Sequence, residues 1–170
     1  MRLPHQTLGD RPHELELLAN LLHYPGLVRR AGSRLLLRVW RYPSFKPQCS
    51  WAIVEAKDEL FLRRVVRDPF RGFTYGSETP FDKSVYDKLS AELENIQIAP
   101  FESAEGIGLD GTSHGIERVS FRVSLRISWW ESPPSGWAAL QGWHQKATQI
   151  FDSALPMSTV GIEYQSDWPA

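Results

Sequence analysis

The sequence has only one cysteine, Cys49, and no long apolar run. One thiol cannot form a disulfide within the chain and is no metal site by itself, so we expect a reducing compartment. No apolar stretch approaches the roughly 20 residues that a membrane-spanning helix needs. The N-terminal segment also lacks the apolar core of a signal peptide. We therefore predict a cytoplasmic protein with no membrane association.

A strong charge of either sign is missing as well. The net charge is −1, so the composition gives no general attraction to nucleic acid. What is present is 42% hydrophobic residues and seven Trp in 170 residues, enough for a core without disulfide or metal support. With no internal repeat and no separating linker, we predict a single domain over residues 1–170.

Three segments place apolar residues at helical spacing. The first runs from about Pro12 to His23. The second follows Thr79, which we predict as its cap with Pro80 at the first helical position, and ends near Asn95. The third opens at Pro133-Pro134-Ser135 and ends near Ser153. All three are amphipathic, which indicates helices that each cover one side of a core.

Branched and aromatic residues mark the predicted strands, which are Arg34–Tyr42, Ser50–Ala56, Leu60–Arg67 and the short Gln97–Glu102. Residues 68–80, rich in Gly, Pro and aromatics, are predicted as a loop. The most regular pattern runs from Val119 to Trp129, where apolar residues alternate with Ser and Arg. This alternation predicts one long strand with a buried face and a wet face, and a wet face is typical of antiparallel sheets.

The predicted fold is therefore α+β. We expect an antiparallel sheet of about four to six strands, with two or three amphipathic helices packed on one face.

Sequence motifs give no support for a cofactor, a metal ion or a catalytic centre. Gly106–Gly111 matches G-x-G-x-x-G, but a predicted strand follows it where a dinucleotide site needs a helix N-terminus. His13-Glu14 begins a zinc-protease motif, yet Leu17 stands where the second His is required. We predict no cofactor and no metal, and we favour a non-enzymatic protein.

Two groups of residues are candidates for a binding surface. Arg118, Arg122 and Arg126 would share one face of the predicted long strand, where a row of guanidinium groups could bind phosphate or an acidic partner. The segment from Arg63 to Tyr75 mixes Arg with aromatics, a composition typical of protein hot spots and nucleic-acid contacts. Its candidate residues are Arg67, Phe70, Arg71, Phe73 and Tyr75. The leading hypothesis is a protein-binding module with an unidentified partner, and nucleic-acid binding through this segment is an alternative.

A pocket around His114 is the other alternative, for a small-molecule-binding protein or an enzyme. His114 lies between Asp110 and Glu117, and a His with a carboxylate neighbour can act as a general base. Trp129 and Trp130 must point to opposite faces of a strand, so Trp130 could line the same pocket. The plainer interpretation is an exposed turn histidine without a chemical role.

The C-terminal part also carries a recognisable pattern, with a GLDGT turn at Gly108–Thr112 and a WW-x-x-PP-x-x-W-x-x-L sequence from Trp129 to Leu140. This stretch, about residues 106–154, resembles small uncharacterised bacterial proteins in which the turn leads into strands and the second motif opens a C-terminal helix. Some of those look like immunity or accessory proteins encoded beside toxins or secretion systems. The resemblance implies a fold and a bacterial origin, and no catalytic residue.

Overall fold

The computed structural model describes residues 27, 30, 32–67, 74–100, 102, 110–120 and 123–156. Its strands are β1 Arg34–Pro43, β2 Gln48–Ala56, β3 Glu59–Arg67, β4 Thr74–Pro80, β5 Thr112–Val119 and β6 Ser124–Trp130. Its helices are α1 Lys83–Glu94 and α2 Ala138–Ala154, with one turn of 3₁₀ helix at Ser135–Trp137 before α2. The first predicted helix, Pro12–His23, lies outside the described residues.

The six strands form one antiparallel sheet in the order β4-β3-β2-β1-β5-β6. The first four strands form a meander, and the chain then returns through α1 to place β5 on the free side of β1. The α+β class and the antiparallel sheet are therefore as predicted. Strands β1, β2 and β3 begin and end within two residues of the predicted bounds.

Both described helices cover the same side of the sheet, which we call the helix face. Strand residues such as Val39, Trp51 and Ile53 meet α1 and α2 there in one core cluster. On the helices this cluster contains Leu89, Leu140, Trp143, Ala147 and Phe151. Because a fully buried large apolar side chain contributes about 1.5–3 kcal/mol, this layer is the main source of stability.

The other side of the sheet, the opposite face, is buried over its central strands as well. Trp40, Tyr42 and Val65 form a second apolar cluster there with Leu27. Arg38 is also buried on this face. The wet face predicted for the Val119–Trp129 stretch does not extend to the central strands, because β1 and β3 carry apolar residues on both alternating positions.

The predicted long strand is a hairpin. Strand β5 ends at Val119 and β6 starts at Ser124, directly opposite it, with the Ser120 amide donating to the Val123 carbonyl at 2.8 Å. A tight turn preserves the alternation within each strand, so periodicity alone does not show where the chain reverses. The turn also lacks the Asn-Gly or Asp-Gly signal that usually marks a hairpin.

Two further predictions differ from the structure. Residues 74–80, predicted as loop, form strand β4, in which Gly76 lies so close to Leu27 that an added Cβ would stand 2.5 Å from Leu27 Cγ. Residues 97–100 and 102 form no strand.

The predicted cap of the second helix is three residues too early. Asp82 caps α1 by accepting the Ser84 amide at 2.7 Å, while Thr79 belongs to β4. Within α1, Lys83 and Asp87 form an ion pair at 2.7 Å, and the hydrogen bond between these side chains raises the pKa of Lys83.

Candidate functional site

The hairpin separates the arginines that sequence reasoning placed in one row. Arg118 faces the helix side beside Leu125, whereas Arg126 lies on the opposite face across from Glu117. Arg118 is paired with Glu94 at the end of α1, and the Arg126 guanidinium lies 4.9 Å from the Trp40 ring centroid. Arg122 lies outside the described residues. The predicted guanidinium row is therefore wrong, because a chain reversal falls between its members.

The Arg63–Tyr75 segment also differs from the surface that its composition suggested. Arg63 is buried and bonds Glu78 at 2.5 Å, and buried Arg64 donates to the carbonyls of Leu155 and Pro156. Arg67 is half-buried at the end of β3. Phe70, Arg71 and Phe73 lie outside the described residues, and for Tyr75 only the backbone, in β4, is described. Two of the arginines that the nucleic-acid alternative needs thus serve the fold.

The proposed pocket residues fall on different sides of the sheet. His114 points to the helix face, but Glu117 and Trp130 point to the opposite face. Glu117 faces Arg38 at 3.3 Å, and Asp110 is exposed before β5. The predicted opposite orientation of Trp129 and Trp130 is confirmed, with Trp129 buried and Trp130 exposed. No His–carboxylate dyad forms between His114 and Glu117.

His114 instead belongs to an aromatic cluster with Trp129 and His144. Its ring stacks on Trp129 at 5.7 Å between centroids and meets the edge of His144 at 5.2 Å. His144 is buried, and its Nε2 donates to the Trp40 carbonyl at 3.0 Å. Burial lowers the pKa of His144 to about 4, and burial also lowers the pKa of His114. Both imidazoles are neutral near pH 7, and the cluster packs α2 onto the sheet.

The described His and Cys side chains of this region show little activation as a general base or a nucleophile. Among the described residues, no carboxylate hydrogen-bonds either imidazole, so neither ring has the orienting partner that a general base normally uses. Burial raises the pKa of Cys49, which keeps it a thiol. Within the described part of the chain, no group of three or more His, Cys, Asp or Glu is arranged to hold a metal ion. The same residues include no helix long and apolar enough to cross a membrane.

Strand β6 is the feature that sequence reasoning missed. In the described chain the exposed large hydrophobic residues are Phe45, Val123, Leu125 and Trp130. Val123 is 68% exposed and Leu125 is 59% exposed, so three of these four residues lie on β6 or directly before it. The exposure was not expected because Val119–Trp129 was predicted as one long strand with Leu125 on its buried face, whereas the second half of this stretch belongs to the edge strand β6.

Two hydrogen bonds at the ends of the hairpin fix the direction of the β6 backbone groups. The Ser120 amide donates to Val123, and the Glu131 amide donates to the Thr112 carbonyl, both at 2.8 Å. Because hydrogen-bonded pairs alternate along an antiparallel ladder, Leu125, Ile127 and Trp129 direct their amides and carbonyls to β5. The residues between them direct theirs to the free edge; these are Ser124, Arg126, Ser128 and Trp130.

An apolar groove accompanies this edge on the helix face. It encloses a cavity of about 190 Å³ between the end of α1, the segment after it, and the β5–β6 hairpin. Leu125 and Ile127 form its strand wall, and the pair of Glu94 and Arg118 provides its polar groups. Its other lining residues are Leu93, Ile96, Ile98, Ile116 and Leu140.

The second sheet edge, β4, is protected where β6 is not. Phe81 donates its amide to the Leu60 carbonyl at 2.8 Å, so the next pair, Phe61 and Pro80, is not hydrogen-bonded and Pro80 occupies an outward position. Proline has no amide to offer a further strand. By the same alternation the backbone amide and carbonyl of Glu78 face outward. Its side chain turns inward, where the buried carboxylate pairs with Arg63. Proline and buried inward charges are devices that keep edge strands from pairing; β6 has no proline, and its one charged residue, Arg126, is exposed.

No family model matches the sequence, and no match was found among curated proteins or solved structures. Any function proposed for this protein therefore rests on the geometry of the site.

Proposed function

We propose that this protein is a non-enzymatic protein-binding module that accepts an extended polypeptide segment as an additional strand on β6. The observation that carries the proposal is the exposure of Val123, Leu125 and Trp130 along β6, an edge of the sheet that the described residues form. The proposal is in keeping with the immunity-type or accessory proteins found among the bacterial proteins that residues 106–154 resemble. It includes a cytoplasmic location, which the buried free thiol of Cys49 supports.

Strand addition would use two kinds of contact. The outward amides and carbonyls of β6 would bond the backbone of the incoming segment, which gives affinity without sequence preference. Alternate side chains of that segment would lie beside Leu125 and Ile127 and reach the groove, which gives preference for apolar residues at every second position. Covering side chains such as Leu125 would contribute at about 25 cal/mol for each Å² removed from water.

The test is a selection of extended peptides from a random library on the purified protein. We expect the selected peptides to alternate apolar and polar residues, and to lose binding to a Ser128→Pro variant. Ser128 is exposed and its amide faces the free edge, so proline there removes a donor to the partner without removing a bond to β5.

The matched control is Ser128→Ala, which changes the same side chain but keeps the amide. It should bind the selected peptides as the wild type does. If Ser128→Pro stays folded by circular dichroism and binds them with unchanged affinity, β6 does not accept a strand and the proposal is wrong.

A further inference from the structure

We propose that the segment received by β6 is β6 of a second copy of this chain, so that two sheets join antiparallel about a two-fold axis at Ile127. This inference rests on the proposed function and names the partner at the same edge. The product is one continuous sheet of twelve strands. Residues of one face stay on that face, so the helices of both copies cover the same side.

The register follows from which residues face outward. Outward residues must pair with outward residues, so Ser124, Arg126, Ser128 and Trp130 pair among themselves across the interface. An axis at Ile127 pairs Arg126 with Ser128 of the second copy, and Ser124 with Trp130. It also places Leu125 beside Trp129 on the helix face, which joins apolar to apolar side chains.

The neighbouring registers are less favourable. An axis at Arg126 places two guanidinium groups directly opposite each other, and like charges in that position destabilise a sheet. An axis at Ser128 pairs only residues 126–130 of each strand, whereas Ile127 is the midpoint of β6 and an axis there pairs all of Ser124–Trp130. Of these three axes, only the one at Ile127 both pairs the whole of β6 and keeps the two Arg126 side chains from lying directly opposite each other.

The contrast between the two edges favours a second copy over another partner. A single copy has one edge that resists pairing, β4, and one that does not, β6. Joining β6 to β6 removes both unprotected edges at once and leaves only the two β4 edges outside, so assembly stops at two. The net charge of −1 gives little repulsion between copies.

Cysteine cross-linking tests the register directly. At Ile127 the two copies form a non-hydrogen-bonded pair, whose Cα atoms lie about 4.5 Å apart, within the range of a disulfide. We expect an Ile127→Cys variant to form a covalent dimer under mild oxidation. Cys49 is buried with a raised pKa, so the wild type provides a silent background. A Leu125→Cys variant is the matched control, because its cross-axis neighbour is Trp129 and it should stay uncross-linked.

Sedimentation of the full chain completes the test. We expect a dimer for the wild type and for Ser128→Ala, and a monomer for Ser128→Pro. A monomeric wild type, a dimer that persists in Ser128→Pro, or cross-linking of Leu125→Cys instead of Ile127→Cys would overturn the inference. If the wild type is monomeric but alternating peptides still bind at β6, the second copy is wrong while strand addition stands. If neither binds, both proposals fail.

Discussion

Acidification should destabilise the fold through His144, the buried imidazole beneath α2. His144 donates to the Trp40 carbonyl and packs edge-on against Trp129 and His114. Burial is the main cause that lowers its pKa to about 4, and His114 and Arg41 lower it further, while the bond to Trp40 acts in the other direction. The pKa of His114 is lowered as well, mainly by burial, whereas the nearby Glu131 carboxylate raises it.

The sign follows from where the proton binds. The folded-state pKa of His144 is about 4 and the ordinary value is 6.5, so the unfolded chain takes up this proton first as the pH falls. Stability is therefore unaffected by His144 above about pH 7, falls from about pH 6.5 downward, and levels off below about pH 4. The difference between the folded and unfolded pKa of His144 corresponds to about 3 kcal/mol of stability in full, and about 2.5 kcal/mol of this is lost by pH 4.5. His114 acts in the same direction.

Urea denaturation at pH 7.5 and pH 4.5 measures this loss. The comparison is with a His144→Gln variant, which does not titrate but retains an amide that can donate to the Trp40 carbonyl. We expect the wild type to lose about 2–3 kcal/mol more than the variant between these two pH values. Subtracting the loss of the variant from the loss of the wild type removes the contribution of carboxylates, because these titrate in both proteins. Equal losses would refute the assignment of a depressed pKa to His144.

Two glycine substitutions should have opposite effects, each measured as the change in urea midpoint. Gly115→Ala should destabilise by at least about 2 kcal/mol, because its Cβ would stand 2.0 Å from Cζ2 of the buried Trp40, and an unchanged midpoint would contradict that packing. Gly142→Ala should stabilise by about 0.5–1 kcal/mol, because this exposed site inside α2 has nothing within 4 Å of an added Cβ; a loss of stability would contradict the open environment.

The elements that the sequence predicted correctly are those in which the local residue pattern agrees with the position of the element in the fold. Strands β1 to β3 are continuous runs of branched and aromatic residues. The apolar stripe of α2 reaches Phe151, and the predicted helix end near Ser153 is one residue before the observed end at Ala154. Strand β4 was missed because Gly76 and Pro80 usually end strands. Here Gly76 provides room for Leu27, and Pro80 occupies an edge position that needs no amide.

The candidate site could not be predicted in the same way, because it depends on which strands are neighbours. Period-two alternation gives the two faces of a strand but not its position in the sheet, so Leu125 was expected to be buried. The turn after Val119 makes β6 an edge and moves Arg118 and Arg126 to opposite faces. One chain reversal thus removes the predicted arginine row and creates the exposed edge.

The different treatment of the two edges connects the fold with the proposed function. Protecting β4 places the Glu78 carboxylate inside the protein, where it costs solvation and is held by Arg63 and Arg30 at 2.5 and 2.7 Å. Strand β6 has no proline and no buried charge, since its one charged residue, Arg126, is exposed, and the exposed Val123 and Leu125 add apolar surface at this edge. An exposed apolar edge strand can pair with other chains without selection, so the proposed function requires that a specific partner cover β6. The β6 edge is therefore the part of the described surface where binding should be sought first.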